Sequence, residues 1–282
     1  MRVAIVTDST ADLDPNVAAE LGVEVVPLYV NFGERSFRDR IDITREEFYT
    51  RLASDSALPT TSQAPTAVYA EFFAAHAASG AEVVCLSISS SLSGTINAAT
   101  AAAAQFPQAK IRIFDSRTVS AGLMLLVLEA VKLAGQDKGA DEIVAALETQ
   151  RAHQHLFAAI PDLSHAVRTG RISKAMAMIG GIMKISPVIT LDDAGKVAEY
   201  ARVRTFGRAL DTLVDATVAH IEDPNATRVA IVHAHAPDTA VALRDRLIAK
   251  LPQAPQRLDV IETGPAISVH AGIGAAGIFS LS

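Results

Sequence analysis

The sequence is short of the features that mark several common functional classes. It has one cysteine in 282 residues, so no disulfide can form within the chain, and a reducing, cytoplasmic setting is expected. That cysteine, Cys85, lies in the apolar run Val83-Val84-Cys85-Leu86 and reads as a small core residue. No stretch approaches the roughly 18 uninterrupted apolar residues of a membrane span. The apolar opening Val3–Val6 is too short for a signal peptide, so stable membrane insertion is not expected. No long basic run occurs, and the formal charge is −6, which leaves no electrostatic footprint for nucleic acid. A nucleotide P-loop, an HExxH helix, a CxxC zinc pattern and a G-x-S-x-G nucleophile elbow are all missing, which speaks against ATP binding, a metal site and an esterase-type hydrolase.

What is present is a chain that is half hydrophobic and 20% charged, a balance that suits two domains with buried cores. In the first half, short apolar runs at Val3–Thr7, Val25–Val30, Val83–Ser87 and Ile111–Phe114 alternate with helical patterns. The helices are expected at Asn16–Leu21, Thr44–Ser54, Thr66–Ala78, Thr95–Gln105, Thr118–Leu133 and Ala140–Arg151. Alternation of this kind predicts a parallel sheet with helices on both faces, a three-layer α/β/α domain. The segment Val26–Ile41 differs, because Asn31-Phe32-Gly33-Glu34 offers turn chemistry between two extended arms, and it reads as a hairpin flap.

The second half predicts a two-layer α/β domain with a mixed sheet covered on one side. Its strands are expected at Phe157–Ile160, Pro187–Leu191, Lys196–Arg202, Arg228–His233, Arg257–Glu262 and Ala276–Leu281. Helices are expected at Ser164–Thr169, Ser173–Lys184, Thr205–Ile221, Pro237–Lys250 and Gly264–Ala271. The expected division is residues 1–155 and 156–282.

Several loops carry more hydrogen-bonding groups than their turns require. Ser87-Ile88-Ser89-Ser90-Ser91-Leu92-Ser93-Gly94-Thr95 follows a strand and opens a helix. Ligands of open α/β sheets sit at this end of the strands, where unpaired N–H groups attract anions. Ser93 as a helix cap and Ser93 with Gly94 as an anion site are both consistent with that stretch. Thr60-Thr61-Ser62-Gln63 has the same design. Asp8 in Asp8-Ser9-Thr10-Ala11-Asp12 reads as a tie for loop N–H groups and hydroxyls, not as a metal ligand or base, and Asp115-Ser116 reads alike. Arg171, after Gly170, could reach an anion or bridge the domains. His270 is open to two readings, a hydrogen-bonded core residue or a ligand contact. His233 and His235, two residues apart, read as structural. The methionines of Met176–Met183 could line an acyl tunnel or an ordinary core.

Taken in order, these segments resemble the DegV family, the fatty-acid-binding B subunits of bacterial fatty acid kinases. The resemblance rests on Asp8-Ser9-Thr10-Ala11-Asp12-Leu13, Pro59-Thr60-Thr61-Ser62-Gln63, Leu92-Ser93-Gly94-Thr95, Asp115-Ser116, Gly170-Arg171-Ile172-Ser173 and the segment from Gly264-Pro265 to Gly272. It implies a carrier with no catalytic residue, no cofactor and no metal. The fatty acid carboxylate would rest on the Thr61–Ser62 and Ser93–Gly94 loops, with Arg171 and His270 in the surrounding network. The acyl chain would run between the domains, and a separate fatty acid kinase subunit would phosphorylate the carboxylate for phospholipid synthesis. Arg202 and Arg204, on one side of a strand, read either as a docking pair for that partner or as an ordinary solvated strand end. Three departures from the family pattern stand out: Ala64-Pro65-Thr66 after Ser62-Gln63, Thr169 in place of a glycine before Gly170-Arg171, and Ala271-Gly272-Ile273-Gly274 after His270. The competing readings are a hydrolase using Ser93 with His270 as base, and a carrier or sensor of another amphipathic acid.

Overall fold

A computed structural model of the protein describes residues 3–54, 58–172 and 186–282. The first sheet is parallel throughout, in the order β2-β1-β6-β7. Its strands are β1 (Val3–Asp8), β2 (Val23–Val26), β6 (Glu82–Ser87) and β7 (Ile111–Asp115). Side chains alternate across a strand, and both faces of this sheet are buried. Val83 and Cys85 pack on Tyr69 and Phe73 of α3 (Thr66–Ser79) and on the alanines of α4 (Thr95–Ala103). Val84 and Leu86 pack on the opposite layer, formed by α1 (Pro15–Leu21), α5 (Ala121–Gly135) and α6 (Ala140–Arg151). The boundaries of α1 follow from local chemistry. The Asp14 carboxylate accepts the Asn16 N–H, Pro15 opens the helix, and Gly22 closes it in the left-handed region at φ +66°.

The expected strand Val25–Val30 is two strands. Pro27 interrupts the ladder, and the Leu28 N–H leaves it to donate to Ser9 Oγ at 3.0 Å. β2 stays in the parallel sheet, while β3 (Tyr29–Phe32) turns into a hairpin with β4 (Arg35–Arg38), with Gly33 at φ +59° in the turn. The sequence reading missed a third member of this flap sheet, β5 (Thr60–Ser62), which pairs antiparallel with β3. The flap sheet packs through Val30 and Phe37 onto Phe48 and Tyr49 of α2 (Arg45–Ser54) and onto Val269 of α10 (Pro265–Ala271).

The second sheet is mixed and six-stranded, in the order β10-β9-β8-β13-β11-β12. Its strands are β8 (Gln154–Ala159), β9 (Ser186–Leu191), β10 (Val197–Val203), β11 (Arg228–His233), β12 (Arg257–Glu262) and β13 (Ala276–Leu281). Only the β11–β12 pair is parallel. Helices α8 (Phe206–Ala219) and α9 (Pro237–Lys250) cover one face. The other face is covered too, contrary to the expectation of one-sided cover. Leu156, Ala230, Val232, Phe279 and Leu281 belong to the same core as α5. That helix is apolar around most of its circumference, as a helix between two sheets must be. Its one buried acid, Glu129, pairs with Arg228 of β11 at 2.9 Å.

α5 begins three residues later than Thr118, and β8 starts three residues before Phe157. The expected helix Ser173–Lys184 and its methionines lie outside the described residues. Among the described residues, no helix is long and apolar enough to cross a membrane.

Candidate functional site

The carboxyl ends of β1 and β6 deliver two loops to a cavity between the sheets. Thr10, Leu28, Thr61, Ile88, Leu92 and Ser93 form one wall. Ile160, Arg171, Ile172, Ile189, Ile267 and His270 form the other. The cavity holds about 130 Å³ of solvent-accessible space, and its lining is almost wholly apolar. A second apolar chamber, bounded at its far end by Leu156 and Phe279, shares Val119, Ile160, Ile189, Ile267 and Ala271 with the first. The two chambers share that apolar wall, and Thr10, Thr61, Ser93, Arg171 and His270 mark the polar end, in the first.

Buried carboxylates hold the loops at that end. Asp8 accepts from the N–H and the hydroxyl of Thr10 and from the Ile88 N–H at 2.9 Å. It therefore ties the β1 and β6 loops together, as a structural tie should. Burial pushes its pKa up to about 6, partly offset by those donors. Asp12 accepts from Ser120 at 2.5 Å, from the Gly264 N–H at 2.7 Å and from Arg40 at 3.0 Å. It joins the first sheet, the loop before α5, the flap and the start of α10. Asp39, buried beside Arg40, is also pushed up to about 6 by burial. Asp115 accepts from the Ser90 and Arg117 N–H groups, a loop tie of the same kind.

Thr61, Ser93, Arg171 and His270 line the cavity together; Ser62 and Gly94 do not. Thr61 lies on β5, not in a capping loop, and its hydroxyl is 2.8 Å from His270 Nε2. Ser62, the next residue on the strand, points to the opposite, exposed side and accepts from Asn31 at 3.4 Å. Ser93 Oγ accepts the Thr95 N–H at 3.2 Å and lies 2.8 Å from the buried Thr95 hydroxyl. Thr95 can supply a proton to Ser93, which leaves the Ser93 O–H free to donate into the cavity. Gly94 is the N-cap of α4, and a Cβ there would collide with the Gln63 side chain.

Arg171 donates Nε to the Leu92 carbonyl at 3.3 Å and Nη1 to the Thr169 carbonyl at 2.5 Å. One carbonyl precedes α4 and the other follows α7 (Ser164–Arg168), so the guanidinium spans the two halves. Among the described residues it has no carboxylate partner, and burial draws its pKa down. A half-buried cation facing an apolar cavity, with Nη2 free of hydrogen bonds among the described residues, is built to receive an anion.

His270 sits on α10 with both ring nitrogens occupied, Nε2 by Thr61 and Nδ1 by Thr169 Oγ1 at 2.7 Å. Burial, with Arg171 nearby, lowers its pKa to about 3, so the ring is neutral near pH 7. With both nitrogens committed to Thr61 and Thr169, His270 makes no hydrogen bond to Ser93. Thr169 was passed over by the sequence reading, although a hydroxyl where the family pattern has glycine was visible. Arg40 and Ser120 were missed for want of any motif around them.

The remaining candidates are structural or peripheral. Cys85 is buried, and its thiol is pushed up to about 12 by burial, so it is no nucleophile. His235 stacks on Tyr49 at 4.5 Å and contacts Glu262 at 3.2 Å, while His233 accepts the Ala236 N–H. Among the described residues, no group of His, Cys, Asp and Glu could hold a metal ion. Arg202 and Arg204 are exposed at the end of β10, but Arg202 pairs with Glu199.

Comparison with known proteins places the chain among relatives of one kind. The DegV family, described as one of uncharacterised proteins, matches residues 2–282. A DegV domain-containing protein of Halalkalibacterium halodurans is 31% identical, covering 98% of this chain and 97% of its own. A DegV family protein from Thermus thermophilus, whose structure concerns fatty acid binding, is 32% identical with a TM-score of 0.92. It aligns over the full length of both chains. A fatty acid binding DegV family protein from Streptococcus agalactiae is 27% identical with a TM-score of 0.91, covering 100% of this chain and 99% of that one.

Proposed function

The chain belongs to the DegV family, and from that premise we propose that it carries one long-chain fatty acid and presents it to a separate fatty acid kinase subunit. The carboxylate sits against Arg171, Ser93 and Thr61, with His270 behind Thr61, and the acyl chain occupies the apolar chambers between the sheets. The observation that carries this reading is Arg171, a cation whose partners among the described residues are two carbonyls, at the polar end of an otherwise apolar cavity. Fatty acid binding by the relatives from Thermus thermophilus and Streptococcus agalactiae supports the same cargo.

The energetics are consistent. A long-chain acid offers about 14–18 methylenes at roughly 0.8 kcal/mol each on burial, and that gross gain must exceed the losses of translational freedom and chain ordering. The anchored carboxylate adds charge-assisted hydrogen bonds and fixes which end of the ligand faces the mouth. The kinase then transfers a phosphoryl group to the carboxylate, giving an acyl phosphate for phospholipid synthesis. Arg202 and Arg204 form part of the rim on which that kinase docks.

Protein purified from a bacterial host should release about one fatty acid per chain into organic extract, read by mass spectrometry. Acyl phosphate should form from ATP only when the kinase is added. Extracts without stoichiometric fatty acid, or a different amphipathic acid in its place, would reject this cargo.

A further inference from the structure

The protons in the chain His165–Thr169–His270–Thr61 can be counted. Thr169 donates its only hydroxyl proton to the His165 carbonyl at 2.8 Å, with the Ala166 carbonyl at 3.3 Å. It can meet His270 Nδ1 at 2.7 Å only as an acceptor, which puts the ring proton on Nδ1. Nε2 is then a lone pair, and its 2.8 Å contact requires Thr61 to donate. Burial keeps a second proton off the ring near neutrality. In this state Thr61 turns lone pairs, not a proton, toward the cavity. That is the wrong polarity for a carboxylate lying beside Arg171.

Two changes could correct it. Protonating His270 would place a second buried cation near Arg171 against one carboxylate, leaving net charge in an apolar site. Alternatively, the Thr169 hydroxyl can rotate away from the His165 carbonyl and donate to Nδ1. One proton then leaves Nδ1 for water and one arrives at Nε2 from water, with no net uptake. Nε2–H donates to Thr61, and Thr61 donates to the ligand. The His165 carbonyl is not orphaned, because the Thr169 N–H still donates to it at 3.0 Å. The second route keeps every buried donor paired and the site neutral.

We propose that Thr169 is a positioning residue that sets the tautomer of His270, and that a bound carboxylate reverses this hydrogen-bond chain from Nδ1–H to Nε2–H. The inference rests on the reading that the ligand head group is a carboxylate at this site. It assigns Thr61 two roles, proton acceptor toward the cavity when empty and donor when loaded.

The test is ¹⁵N NMR of ring-labelled histidine in delipidated protein, free and loaded with a fatty acid or the matching fatty alcohol. The free protein should show Nδ1–H. The acid should exchange the shifts of the two ring nitrogens. The alcohol, which can donate its own proton to Thr61, should leave them as they were. Thr169→Val should show Nε2–H in both free and acid-loaded protein, because an unpaired buried acceptor costs less than an unpaired donor. Thr169→Ser should restore the switch.

Mass spectrometry of the same samples reports whether acid is bound, which separates the two claims. No retained acid defeats the carrier reading. Retained acid with Nδ1–H, or with both nitrogens protonated, overturns the reversal while the carrier reading stands. Parent behaviour in Thr169→Val would overturn the role of Thr169. Should that variant fold poorly, the parent spectra alone decide the reversal.

Discussion

At Arg171 a cation is half-buried with two carbonyls for company, and at Ser93 a hydroxyl keeps its proton for the cavity whenever Thr95 is the donor of the pair. Both groups gain most from a charged acceptor. Ser93→Ala should weaken fatty acid binding about tenfold, in line with the roughly 1.5–3 kcal/mol of a hydrogen bond to a charged group. The matching fatty alcohol should lose less, as read by displacement of a fluorescent fatty acid. Equal losses for acid and alcohol would put the carboxylate elsewhere. His270 makes a second prediction, on stability. Its pKa falls from the usual 6.5 to about 3, so its contribution is complete above pH 6.5 and is lost as pH falls toward 3. Asp8 and Asp39, raised to about 6, act in the opposite sense. Their contribution is complete below the ordinary carboxylate range and is lost as pH rises through 6. Replacing His270 with Gln removes only the first effect. The stability gap between parent and variant should therefore narrow by about 1.4 kcal/mol per pH unit at most between 6.5 and 5. Denaturant titration across that range measures it, and a constant gap would mean the ring is not held neutral by burial.

Among the elements, the turn of the β9–β10 hairpin helps α5 seat one sheet against the other. Ser89 donates to the Gly195 carbonyl at 2.8 Å, Ser91 to Ala194 at 2.7 Å, and Arg117 to Asp193 at 3.2 Å. Gly195 lies at φ +73°, and a Cβ there would stand 2.6 Å from the Arg117 carbonyl oxygen. Gly195→Ala should destabilise the protein by about 1–3 kcal/mol, from left-handed strain and a backbone clash that cannot relax; chemical denaturation would show it. The two strands of this hairpin were legible at Pro187–Leu191 and Lys196–Arg202, and so was the parallel sheet, because short apolar runs are local signals. Its docking partner was not readable, since Ser89 and Gly195 are distant in sequence. The same limit applies at the site. Hydroxyl-rich loops pointed to Thr61 and Ser93, but Ser62 was grouped with Thr61 because a short run of hydroxyls looks like a loop. Only the pairing of Asn31 with Thr60 and of Val30 with Thr61 reveals a strand, and a strand sends adjacent side chains to opposite faces. One-sided cover of the second sheet failed for a related reason. α5 belongs by sequence to the first domain, yet its apolar circumference serves both.

For the molecule as a whole, the formal charge is −6, and the exposed Arg202 and Arg204 at the end of β10 form a local basic pair of the kind that steers an acidic partner. Changing both arginines to glutamate should leave fatty acid binding intact and slow kinase-dependent turnover at limiting carrier. The defect should shrink as salt rises. Arg202 is already paired with Glu199, so Arg204→Glu should account for most of the effect, and unchanged turnover would move the docking face elsewhere. The order of the second sheet has a different sort of consequence. β13 follows the other five strands in sequence, yet it lies between β8 and β11. Until residues 276–281 are in place, β8 with β9 and β10 forms one ribbon, and β11 with β12 forms another. Each ribbon exposes an unsatisfied inner edge to the solvent. As the polypeptide leaves the ribosome, its first sheet can close early, whereas the second must wait for its central strand. That interval is the slow, high-contact-order stage of biogenesis, and it is when a chaperone would be most needed.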